Sequence, residues 1–102
     1  MFVSLIIMKG KIMALRNPKP IHPGTVLAEI YMKELGLNQT QLANKLNCAH
    51  RKVNEIVNGK RSITPEFALA LERVLGASAE MWVRMQAEYD LQIARRKSKK
   101  AA

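Results

Sequence analysis

Between residues 23 and 94 the apolar positions recur every three or four residues, in five blocks separated by glycine, asparagine or serine. Val26, Leu27, Ile30, Tyr31 and Leu35 make the first stripe. Pro23 suits its first position, where no amide is needed, and Gly36 suits a left-handed end. Leu42, Ala43 and Leu46 make the second, opened by Asn38 as a cap with Gln41 three residues on. Asn47 fits a tight turn, because asparagine tolerates the left-handed conformation. Val53, Ile56 and Val57 turn inward in a third helix that Gly59 closes. Thr64, Pro65 and Glu66 open a fourth with a cap, a first-position proline and an acid near the positive dipole end. Its stripe is Phe67, Ala70, Leu71, Val74 and Leu75, ended by Gly76. Ser78 caps the fifth, along which Trp82, Met85, Tyr89 and Ile93 recur at three or four residues.

No stretch alternates with a period of two, so the predicted fold is all-α, five helices in one domain. Residues 14–22 hold two prolines two apart and are expected to be extended. The chain therefore divides into an N-terminal extension over 1–17, either disordered or upstream of the true start at Met8 or Met13, and a domain over 18–94. A basic tail over 95–102 has no apolar face to fold it.

Charge changes the picture more than composition does. The net charge of +9 is distributed as +3 over residues 1–37, +4 over 38–61, −3 over 62–94 and +5 over the tail. Positive charge thus sits on the second and third helices and the ends, while the helices that follow are acidic. That asymmetry favours a polyanion at a defined face. The single cysteine, Cys48, excludes an internal disulfide and fits a reducing cytoplasm. The apolar start MFVSLIIM lacks the preceding positive charge and the cleavage site of a signal peptide. It is also far short of the ~20 residues that cross a bilayer. A soluble, cytoplasmic protein with no membrane partner is expected.

The run LGLNQTQLANKLNCAHRKVNEIVNGKR, residues 35–61, joins two short amphipathic helices by a tight turn, the pattern of a DNA reader. In such a unit the second of the two helices enters the major groove, its N-terminal residues at base edges. Helical spacing places Ala49, His50, Arg51, Asn54 and Glu55 on that face. Arg51 suits guanine and Asn54 adenine; Glu55 either accepts from cytosine or holds Arg51 one turn away; Ala49 suits a thymine methyl. Gln39, Thr40 and Gln41 open the preceding helix, where free amides and the dipole favour phosphate. Lys52, Asn58, Lys60 and Arg61 complete a second phosphate flank.

With its flanks, His22-Pro23-Gly24 ahead and SAEMWVRMQAEYDL behind, this run resembles the Cro/C1-type helix-turn-helix family, and within it the HigA-type, or virulence-associated protein I, antitoxins. The resemblance spans about residues 18–94. It implies a lambda-repressor-like domain that binds a palindromic operator as a homodimer, represses its own operon, and neutralises a HigB-type mRNA endonuclease from the adjacent gene. It also matches Gln41, Asn58 and Lys60 to the family's backbone-contacting positions. The alternative is a stand-alone repressor of the same fold without a toxin. Asn47 stands where the family more often has glycine, and Cys48-Ala49-His50 departs at the start of the reading helix, where operator choice lies.

The remaining residues carry plainer expectations. Cys48 reads as a small residue replacing a capping serine or threonine, and His22 as structural, at the entry to the first helix. His22, His50 and Cys48 lack chelating spacing, so neither metal nor cofactor is expected. The eight acids are scattered over helix faces without the clustered carboxylates of a nuclease, which argues against an enzyme. Trp82, Met85, Tyr89 and Ile93 divide between core and a dimer surface.

Overall fold

The computed structural model describes residues 19–101, with side chains through Lys99; the extension over 1–17 lies outside them. Among the described residues there are five helices and no strand. The first, α1, spans residues 23–35: a turn at Pro23–Val26, a wider π-helical stretch at Leu27–Met32, and a last turn at Lys33–Leu35. It is followed by α2 (Gln39–Leu46), α3 (His50–Val57), α4 (Pro65–Leu75) and α5 (Ala79–Ala101).

Local chemistry sets most of these boundaries. At α2 the Asn38 side chain accepts from the Gln41 amide at 2.7 Å, while the Gln41 side chain accepts from the Asn38 amide at 2.9 Å, a complete capping box. Asn47 ends the helix at φ 56°, the left-handed residue that the tight turn needs. Thr64 accepts from Phe67 at 3.1 Å and Ser78 from Met81 at 3.1 Å, capping α4 and α5.

The core gathers Leu27 and Met32 of α1, Leu42 and Leu46 of α2, Val53 and Ile56 of α3, Ile63, Phe67 and Leu71 around α4, and Trp82 of α5. Trp82 is the largest fully buried side chain, tilted against Tyr31 with ring centroids 5.2 Å apart. It holds α5 against α1, so it does not face a second copy, as its assignment to a dimer surface required. Met85 packs on the same core, and Tyr89 stands edge-on to His22 at 4.8 Å. Two further expectations change. Ile30 and Leu35 are more than half exposed, because the π-helical turns close at i+5 and rotate Met32 inward in their place. The tail expected to lack structure continues α5 through Ala101. Alanine, arginine and lysine are strong helix formers, and basic side chains suit the negative end of the helix dipole.

Candidate nucleic-acid interface

The reading helix is positioned from behind. Val53 and Ile56 are completely buried, and α1 packs on the last turn of α3. The approach is so close that a Cβ on Gly24 would stand 1.8 Å from the Ile56 carbonyl oxygen. With that face fixed, Ala49, His50, Arg51 and Asn54 are exposed and Glu55 half-buried.

Charges on this face are organised around one carboxylate. Glu55 accepts from Arg51 Nε at 3.2 Å and pairs with Arg61 Nη2 at 2.7 Å. The hydrogen bonds from Arg51 and then Arg61 hold the Glu55 carboxyl below the usual carboxylate range. Glu55 thus holds Arg51 one turn away and joins α3 to the following turn through Arg61. Across the motif, Asn54 donates to Gln39 Oε1 at 3.0 Å, tying α3 to the start of α2. Two bonded groups, Gln39–Asn54 and Arg51–Glu55–Arg61, thus link α3 to the start of α2 and to the turn that follows.

Other expected contacts are placed differently. Gln41 spends its side-chain oxygen on the capping box. Asn58 donates to the Asn54 carbonyl at 2.8 Å, closing the C-terminal end of α3. Lys52 is half-buried with its ammonium 5.2 Å from the centre of the Phe67 ring, so the structure does not gather it with Lys60 and Arg61. Cys48 caps nothing: Ala49 is the N-cap of α3, without a side-chain bond, and Cys48 packs half-buried against the core. Thr40 and Lys60 are exposed.

Behind the turn after α3 lies a polar pair, one member of which the sequence did not reveal. Gln86, buried on α5, accepts from the Ile63 amide at 2.8 Å and donates to Asp90 at 2.9 Å. The signal was a polar residue one turn after Trp82, on the buried side of an otherwise apolar stripe. His22, also buried, caps α1 by accepting from the Gly24 amide at Nδ1, 2.9 Å. Burial holds its pKa below the usual imidazole value, against the opposing charge of Asp90 and a backbone hydrogen bond at Arg61. Among the described residues no group of three or more His, Cys, Asp or Glu side chains is placed to hold a metal ion, and no helix is long and apolar enough to cross a membrane.

Comparison with known proteins places this geometry. A family model described as helix-turn-helix matches residues 29–82. Virulence-associated protein I of Dichelobacter nodosus is 44% identical over 80 residues, 78% of this chain and 74% of that protein. Among solved structures, the Pseudomonas aeruginosa antitoxin HigA with the higBA promoter superposes with a TM-score of 0.78 at 34% identity, covering 81% of this chain and 90% of that one. An antidote protein of the HigA family from Coxiella burnetii gives 0.76 at 39% identity, covering 82% and 91%.

Proposed function

This chain belongs to the Cro/C1-type helix-turn-helix family, alongside the virulence-associated protein I and HigA antitoxins, and we propose that it is a DNA-binding antitoxin. It binds the promoter of its own operon, represses it, and neutralises a HigB-type mRNA endonuclease encoded beside it. The observation that carries the DNA part is the exposed face of α3, where Arg51 and Asn54 stand free of the core and are bordered by Lys60 and Arg61. Arg51 offers guanine a paired donor, Asn54 offers adenine an amide, and the flanking cations neutralise phosphates. The toxin part is supported by kinship with HigA antitoxins. The work done is binding rather than catalysis, in the cytoplasm where promoter and toxin are met.

A palindromic operator calls for a homodimer with two reading helices about one helical turn of DNA apart. Since Trp82 faces inward, the surface offered to the second copy is the open groove between α4 and α5. Its apolar centre holds Leu69, Val83 and Ala87, with Leu69 and Val83 exposed. Glu80 and Arg84, one turn apart, also line it, and a twofold axis through the groove would set the acid of one copy against the base of the other. Val83→Asp is expected to halve the mass in sedimentation.

A mobility shift of the chain's own promoter duplex, with co-purification of the neighbouring gene product, tests the whole reading. Binding at random-duplex affinity would overturn the repressor role. Promoter binding without co-purification, and without rescue of cells expressing the neighbour, would leave a stand-alone repressor.

A further inference from the structure

The turn that follows α3 carries Lys60 and Arg61 outward, and two buried polar side chains grip its backbone from behind. From α5, Gln86 accepts the Ile63 amide and is itself held by Asp90. From the start of α1, His22 packs along Gly59, where an added Cβ would lie 3.7 Å from its ring. Gly59 takes φ 73° to make this approach. His22 is fixed in turn by the Gly24 amide and by Tyr89 edge-on. We propose that His22 and Gln86 are positioning residues for DNA binding, holding the Gly59–Ile63 turn so that Lys60 and Arg61 meet the phosphate backbone. The proposal rests on the DNA-binding reading.

The His22 ring performs this task only when neutral. Nδ1 must accept from Gly24, and a proton there would set two donors against each other in a buried site. The groups facing the ring are Tyr89 and Asp90 of α5 and the Arg61 segment of the turn. Asp90 favours the proton, but burial outweighs it and keeps the ring neutral at pH 7. The folded state therefore binds fewer protons here than the unfolded one. The grip is complete above the ordinary imidazole value of about 6.5 and is lost as pH falls through the ring's own, lower value.

The test uses the full chain with two probes, its own promoter duplex and a random duplex of equal length. Gln86→Leu keeps the volume but removes the acceptor; it is expected to weaken binding to both probes about five- to tenfold and to shallow the salt slope by about one unit. Wild-type affinity is expected to fall as pH is lowered from 7.5 into the acid range below the ordinary imidazole value. His22→Asn keeps a capping oxygen but removes the ring that packs on Gly59 and titrates; it should weaken binding to both probes at pH 7.5 and flatten that fall. A folded Gln86→Leu chain with unchanged affinity and salt slope would overturn the proposal. So would a wild-type pH profile in His22→Asn, which decides the matter if Gln86→Leu does not fold. Failure of the wild type to bind either duplex at pH 7.5 would instead overturn the DNA-binding reading itself.

Discussion

The two helices of the motif are each eight residues long, one turn apart in sequence, and they begin in opposite ways. At α2 both members of the Asn38–Gln41 pair are bonded to amides of its first turn, and three residues, Leu42, Ala43 and Leu46, are buried. At α3 the N-cap is Ala49, with no side-chain bond, and two residues, Val53 and Ile56, are buried. What α3 lacks at its start it has on its flank, in the Arg51–Glu55–Arg61 pairs and the Asn54–Gln39 link. The difference separates two tasks. The scaffold helix takes its order from its own ends and core. The reading helix takes its order from neighbours, leaving its first turn and outer face for a ligand.

The largest test of that division is Leu42→Ala. Removing a fully buried side chain from α2 should cost about 2–5 kcal/mol in denaturant melts. Arg51→Ala should do the reverse. It is expected to cost about 1–3 kcal/mol on the cognate operator and relax preference at one base pair. Its melting should stay within about 0.5 kcal/mol, because an exposed ion pair contributes little. Equal loss on cognate and random DNA would remove Arg51 from the reading set. Asn38→Ala should lower stability by about 1 kcal/mol through loss of the cap. The smallest effect sharpens the contrast most: Ala49→Ser supplies the missing cap and should raise the melting stability of α3 by about 0.5 kcal/mol. A gain there as large as the Asn38→Ala loss would mean that the two helices are not held differently after all.

Much of the scaffold was legible because its signals are local. Asn38 with Gln41, Thr64 before Pro65, and Ser78 before Met81 each bond to an amide three residues away, so short windows of sequence hold both partners. The outward residues of α3 were legible for the same reason: Val53 and Ile56 fix the inner face, and helical spacing fixes the outer one. Around that face the sequence was less informative. It did not show that α4 brings the Phe67 ring beneath Lys52. Nor did it show that the Asn58 amide closes its own helix.

What the sequence by itself determined was where α1, α2 and α4 start and stop, where α5 starts, the left-handed turn at Asn47, and which side chains α3 turns outward. These follow from hydrogen bonds and spacings that span four residues or fewer. Only the tertiary structure decided that Trp82 is core rather than interface, that Gln86 serves Ile63 twenty-three positions earlier, and that His22 packs on both Gly59 and Tyr89. Those contacts depend on how α1 and α5 lie against the motif. A single π-helical stretch in α1 is enough to rotate Ile30 and Leu35 out of the stripe that a regular period assigns to them.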